Sequence, residues 1–284
     1  IKPLPSIRLT NDEENKAILK RKKYGGKGDK LHLGGFINYD RMGVSNNTWN
    51  FMMGPLGIKS LLDMGCGRGI SSKYFLDHGA EVLCVEGSHD AVMQSLLPQS
   101  NIIEHDFTRG PWWPNHTFDA VWSVEFLEHV GRQYMKNYFP ILHRAALLFL
   151  TSSNNGGWHH VEVREPWWWH GRLTAAGFIY SDDLTQRVRN AARATCHRAL
   201  GLRIVNRMMV FINPAVAKLP EHDHLFSGNG CMFDTIKDVP CDSTKFQWMD
   251  PVTDHLPSKY ESLLSCDFIS TATPKELALP VPPP

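Results

Sequence analysis

One stretch constrains the fold more than any other: Leu61-Leu62-Asp63-Met64-Gly65-Cys66-Gly67-Arg68-Gly69, running into Ile70-Ser71-Ser72-Lys73-Tyr74-Phe75-Leu76. A short apolar run ends in a carboxylate, and glycine then recurs at every second position before a helix-forming segment. That order makes a strand–turn–helix corner. Glycines there reach backbone angles denied to other residues and let a ligand approach the main chain closely. The spacing is not the G-x-G-x-x-G of a dinucleotide corner, whose third glycine packs helix on strand under a pyrophosphate. A carboxylate at the strand end would repel a pyrophosphate but suits an ammonium group.

Two further acidic strand ends follow. Glu81-Val82-Leu83-Cys84-Val85 is a second apolar strand ending in Glu86-Gly87. A carboxylate about 20 residues beyond a glycine corner is placed to accept from both ribose hydroxyls. Asn101-Ile102-Ile103-Glu104 leads into His105-Asp106-Phe107, where Asp106 can accept from an adenine amino group with Phe107 beside the ring. Acceptors for an ammonium, a ribose and an adenine on successive strand ends describe S-adenosylmethionine (SAM).

On these residues, roughly positions 57–213 resemble the class I SAM-dependent methyltransferases. The resemblance implies an α/β fold: a Rossmann-like, doubly wound, mostly parallel seven-stranded sheet with helices on both faces. It implies SAM as methyl donor and S-adenosylhomocysteine (SAH) as product. The expected cofactor residues are Asp63, Gly65, Cys66, Gly67, Gly69, Glu86, Gly87, Asp106 and Phe107, with Ser123 and Glu125 at the fourth strand tip. A doubly wound domain that uses its glycine turn only for packing is the bland alternative.

The pattern between 57 and 150 supports that architecture independently. Strands are expected at 60–63, 81–86, 101–104, 118–123 and 146–151, and helices at 69–78, 88–96 and 132–144. Such alternation demands a mostly parallel sheet with helices on both faces, and ligands then bind beyond the carboxyl ends of the strands. A helix over 182–200, carrying Arg187, Arg189, Arg193 and Arg198, precedes a last strand at Arg207–Asn213, ended by Pro214.

The acceptor side is read from two segments. Ser123-Val124-Glu125-Phe126-Leu127-Glu128-His129 is again similar to the family, a strand end followed by Glu and a Glu-His pair. Glu125 and His129 are spaced to share one helical face. His129 could then take a proton, oriented by Glu125 or Glu128, or it could serve only the architecture. After the fifth strand comes Asn154-Asn155-Gly156-Gly157-Trp158-His159-His160, then Pro166-Trp167-Trp168-Trp169. This pattern resembles methyltransferases that act on sugars and glycans. Aromatic residues suit sugar C–H faces, and His, Glu and Asn reach hydroxyls. The expected bases are His159, His160 and His129, in that order, and the expected acceptor contacts are Tyr39, Trp49, Glu128, Asn155, Trp158 and Trp168. Each Trp can equally be core, and Trp49, Phe51 and Met52 can form one packed helix face. No metal is expected, because the sequence does not place carboxylates beside these histidines.

Composition bounds the rest. The 284 residues hold 30 Lys plus Arg against 29 Asp plus Glu, a net charge of +1, which argues against a strongly basic nucleic-acid binder. The expected partner is a small-molecule or glycan acceptor. No apolar run reaches about 18 residues, so no membrane span is expected within the chain. Residues 1–56 are expected as an N-terminal arm and lid over the cofactor, with Tyr39, Asp40 and Trp49 near the pocket. Residues 57–214 are the methyltransferase domain, and 215–284 a partly ordered extension with a Pro-rich end. Cys66 and Cys84 are expected as buried thiols, while Cys231 and Cys241 could close a short loop; Cys196 and Cys266 have no evident partner. His222 and His224 are weak metal candidates. The sequons at Asn46 and Asn115 permit a secretory lumen without excluding the cytoplasm. The expected reaction is O-methylation of a sugar or glycan hydroxyl. The alternatives are methylation of an amine, carboxylate or protein side chain, or a SAM-binding partner domain without catalysis.

Overall fold

The computed structural model describes Leu33 and residues 41–157, 159–194, 200–227, 233–234 and 239–240. Strands β1 (Ser60–Met64), β2 (Glu81–Glu86), β3 (Ile102–Glu104), β4 (Phe118–Ser123), β5 (Ala145–Leu150), β6 (Ile179–Tyr180) and β7 (Met209–Ile212) form one sheet in the order β3-β2-β1-β4-β5-β7-β6. Strands β1 to β5 pair in parallel, and β7 runs antiparallel to both β5 and β6. Every residue of β4 and β5 is buried, which is why both read as apolar runs rather than alternating ones.

Helices cover both faces. On one side, Trp49, Phe51 and Met52 of α1 (Asn46–Met53) meet Phe75 of α2 (Ile70–Asp77) over Trp122 and Phe149 of the sheet. Short α3 (His89–Met93) follows β2. On the other face, Tyr138 and Ile141 of α4 (Met135–Leu142) and Trp169 and Leu173 of α5 (Pro166–Ala175) pack on Val121, Leu148 and Phe211. The first face also buries Leu184 and Val188 of α6 (Asp182–Arg193) and Ile204 of α7 (Leu202–Arg207). Helix starts follow local chemistry: Ser45, Ser88 and Ser181 accept from the amides of Thr48, Ala91 and Leu184 as N-caps of α1, α3 and α6.

Three helices are shorter than their sequence patterns, among them α6, which ends at Arg193 rather than at residue 200. α3 stops at Met93 because the chain turns back, and the Leu96 amide donates to the Arg68 carbonyl at 2.9 Å. α4 is preceded by a 3-10 turn at Arg132–Tyr134 and ends two residues after Pro140, which has no amide to donate.

The chain leaves β1 toward β2 and β3, then returns to β4 on the other side of β1. This reversal leaves a crevice between the carboxyl ends of β1 and β4, where doubly wound sheets bind ligands. Asp119, near the opposite end of β4, does structural work. Its carboxylate accepts from the Lys59 amide at 2.7 Å, the Ser60 amide at 3.1 Å, His222 Nδ1 at 2.8 Å and His224 Nε2 at 3.1 Å. Burial pushes the Asp119 carboxyl up, but His222, the Lys59 amide and His224 outweigh it and hold it below its ordinary value. The two histidines considered as metal ligands are therefore held by Asp119. They fasten the start of the C-terminal extension, whose Val216, Leu225 and Phe226 join the core.

Candidate functional site

The glycine corner forms as its spacing requires. Gly65, Gly67 and Gly69 have φ of 76°, 56° and 77°, the left-handed region that glycine enters without steric cost. A Cβ on Gly65 would lie 2.6 Å from a Phe126 ring carbon. Glu86, at the tip of β2, accepts from the Gly67 amide at 2.7 Å and from the Ser88 amide at 2.8 Å. Asp63 is buried and accepts from Ser71 Oγ at 2.6 Å and Ser72 Oγ at 2.7 Å. Burial pushes its carboxyl up to about 6, against the pull of the two serines. Asp106 accepts from the Thr108 amide at 2.9 Å and from Thr108 Oγ1 at 2.7 Å.

These groups share one cavity of about 360 Å³ at the carboxyl ends of the strands. Asp63, Gly65, Cys66, Gly67, Glu86, Gly87, Asp106, Phe107 and Glu125 all line it, as do Trp49, Asn155, His129 and His160. Other expected residues stand elsewhere. Gly69 is the N-cap of α2, shaping the corner without lining the cavity. Ser123 is buried and donates to the Met64 carbonyl at 2.8 Å, tying β4 to β1. Trp168 lies outside the cavity between Arg164 and Arg172, whose guanidinium carbons sit 5.2 and 5.0 Å from its ring centre. Trp169 is core and Trp167 is exposed. Trp49 is both packed and cavity-lining, so its two readings are compatible. Cys66 and Cys84, expected as thiols, are joined in a disulfide. Tyr39, Asp40, Trp158, Cys196, Cys231, Cys241 and Cys266 lie outside the described residues.

The segments expected to meet an acceptor differ most from expectation. Residues 124–130 form turns rather than a helix, so Glu125 and His129 do not share a helical face. Glu125 has φ of 58°, and its carboxylate pairs with Arg203 and, at 2.8 Å, with Arg207. Both arginines line the cavity from α7. Their spacing of four puts them on one helical face, but nothing local in the sequence connects that face to Glu125. His129 Nδ1 donates to the His159 carbonyl at 3.1 Å. Burial, with help from His160, pushes His129 down to about 3. Burial and the nearby Glu125 charge raise Glu128 well above the usual carboxylate range. His159 does not line the cavity; His160 does, with Nδ1 donating to the Asn155 carbonyl at 2.7 Å.

Residues 62–149 match the family model described as a methyltransferase domain. Over these residues the chain carries a methyltransferase domain. Solved structures similar to this methyltransferase include a SAM-dependent methyltransferase from Aquifex aeolicus, 14% identical over 51% of this chain and 85% of that one, with a TM-score of 0.39. One from Archaeoglobus fulgidus is 16% identical over 57% of this chain and 89% of its own, also at 0.39. Magnesium protoporphyrin IX methyltransferase from Synechocystis PCC 6803, solved with bound SAM, is 18% identical over 58% and 74%, at 0.38. No curated protein matches the chain in sequence.

The residues of the methyltransferase cavity fit its cofactor, SAM. A Cβ on Gly87 would lie 2.8 Å from Leu33 Cδ2 and 3.3 Å from the His105 carbonyl, so the wall beside Glu86 closes only around glycine. Buried Trp49 Nε1 has no partner within the described residues, which leaves a donor at the cavity wall. No helix among the described residues is long and apolar enough to cross a membrane.

Proposed function

We propose that the enzyme methylates a hydroxyl of a small polar acceptor, a sugar or glycan. The observation that carries this reading is His160, which lines the cavity together with Asn155 and the three acidic strand tips. Its Nδ1 hydrogen is committed to the Asn155 carbonyl, so Nε2 is the nitrogen left to accept. In this reading Asp63 meets the cofactor ammonium, Glu86 the ribose hydroxyls, and Asp106 with Phe107 the adenine.

SAM supplies a methyl group already activated on a sulfonium. The protein therefore mainly contributes position and a route for the proton. The acceptor oxygen bonds to the methyl carbon while the carbon–sulfur pair stays with sulfur. The hydroxyl proton goes to His160 Nε2. His129 is a poor proton acceptor at a pKa of about 3, and the His159 side chain stands off the cavity. That reverses the order expected for the first two bases.

The test is a methyl-labelled SAM assay of the full chain against glycans, amines and peptides. Label should appear on a glycan oxygen. His160→Ala should lower turnover at least ~100-fold, the lower end of general-base effects, with SAH affinity kept. Label on an amine, or full turnover in His160→Ala, contradicts the reading. Carboxylate methylation is the second reading, supported by Arg203 and Arg207 on the cavity wall, although both already pair with Glu125.

The Asp63 assignment has its own pH signature. Its pKa is raised from 3.8 to about 6 by folding, so the unfolded chain gives up this proton first. Fold stability without cofactor should therefore fall as pH rises from about 4 to 6, by about 3 kcal/mol. SAH should bind roughly tenfold more tightly at pH 7.5 than at pH 5, because its ammonium needs the ionised carboxylate. Calorimetric titration at the two pH values checks this. An equal pH slope in Asp63→Asn would remove Asp63 from the role.

A further inference from the structure

Hydroxyl methylation by His160 alone leaves its closest neighbours unexplained. One potential ligand atom from each of Glu128, His129 and His160 lies within 4.8 Å of the other two. Glu128 is fully buried, and among the described residues neither of its carboxylate oxygens has a hydrogen-bond partner of ordinary geometry. Its own amide, the Ser153 amide and the Glu125 carboxyl lie near it, yet none makes a hydrogen bond of ordinary geometry. A buried carboxyl without donors either stays protonated or meets something cationic.

The two histidines are set up in the same way. His129 Nδ1 donates to the His159 carbonyl and His160 Nδ1 to the Asn155 carbonyl, at 3.1 and 2.7 Å. Each ring therefore keeps Nε2 as its electron-pair donor. Metal-ligating histidines are held by such a hydrogen bond from the other nitrogen. The ring centres are 4.9 Å apart and the rings perpendicular.

The backbone fixes this arrangement. The Glu128 carbonyl accepts from the amides of Val161 at 2.8 Å and Glu162 at 3.0 Å, lacing the two loops that carry the three side chains. Gly157 makes room for one of them: a Cβ there would lie 2.6 Å from His160 Cε1 and Nε2.

We infer that Glu128, His129 and His160 form a binding site for a divalent first-row transition-metal ion, with His129 and His160 lining the cavity and Glu128, which does not line it, buried beside them. Two imidazoles and one carboxylate suit zinc, iron, cobalt or manganese and leave further positions open. Bonds of about 2.0–2.2 Å put neighbouring ligand atoms roughly 3.0–3.5 Å apart, so the three donors would close by up to roughly 1.5 Å. The role of the ion rests on the O-methylation reading; its binding does not. An acceptor hydroxyl on an open position becomes more acidic. Its proton passes to water at the cavity mouth, its oxygen takes the methyl carbon, and the sulfur keeps the bonding pair. With the ion bound, the His160 lone pair holds the ion, and the base role given to it above belongs to the metal-free site.

Cobalt(II), zinc(II) and manganese(II) are each titrated into the metal-stripped full chain, followed by calorimetry and, for cobalt, by visible absorption. SAH binding is measured on the same samples. One equivalent should bind, with a cobalt spectrum showing nitrogen and oxygen ligands. Glu128→Gln and His160→Ala should each weaken binding at least tenfold with thermal unfolding and SAH affinity retained. Gly157→Ala, which displaces the His160 ring without removing it, should also weaken it. No saturable one-to-one binding in wild type, or equal binding in all variants, overturns the site. If the metal binds but stripping it leaves glycan methylation unchanged, the ion has no catalytic role and the O-methylation reading stands without it. If metal binds and no hydroxyl acceptor is labelled, the O-methylation reading fails while the site stands.

Discussion

Glu86→Ala is expected to weaken SAH binding at least 100-fold, about 3 kcal/mol, with the fold retained. The carboxylate contributes twice. It accepts from the Gly67 and Ser88 amides at 2.7 and 2.8 Å, fixing the glycine corner against the start of α3. In the proposed cofactor pose it also meets the ribose hydroxyls. Each hydrogen bond to a charged group is worth about 1.5–3 kcal/mol, so loss of even part of this set reaches the stated effect. Glu86→Gln, which keeps one acceptor oxygen, should fall between the two. Calorimetry with SAH, alongside circular dichroism to confirm folding, makes the measurement. Affinity within fivefold of wild type would mean that Glu86 only shapes the loop.

Asp119→Ala should give the largest loss of stability, about 3–5 kcal/mol, because it strips a buried carboxylate from four donors. For a domain of this size that lowers the melting temperature by roughly 10 °C or more. The folded-state carboxyl is held below its ordinary value, so its ionised form stabilises the fold at neutral pH. That contribution should disappear as pH falls through the acid range, and wild type and variant should converge there. Asp119 lies near the opposite end of β4 from the cavity, so SAH affinity of the folded variant should be unchanged. A melting temperature within 2–3 °C of wild type, on the roughly 2–4 °C expected per kcal/mol, would show that the His222 and His224 clamp carries little energy.

Local chemistry made much of the fold legible. β2 and β4 keep the bounds read from their apolar runs, because a largely buried strand leaves a continuous hydrophobic signal. The glycine corner and its three acidic tips were legible because strand order brings residues distant in sequence to one end of the sheet. The failures are long-range. Glu125 and His129 carry helical spacing, but Glu125 turns into the left-handed region and engages arginines about 80 residues away. No periodicity encodes that pairing. Ser123 looked like a tip residue, yet its hydroxyl finds the Met64 carbonyl across the β1–β4 seam. The carboxylate partner for the histidines was in the sequence as Glu128, but only the lacing of residues 128–129 to 159–162 brings it to His160. Cys66 and Cys84 meet because the β1–β2 register sets Asp63 beside Cys84, just short of the turn that carries Cys66.

The most direct measurement is a crystal structure of the full chain with SAH. The ribose is expected against Glu86, the ammonium toward Asp63, the adenine between Asp106 and Phe107, and the sulfur facing His160. SAH seated away from these three carboxylates, or with its sulfur turned from His160, would contradict this pose.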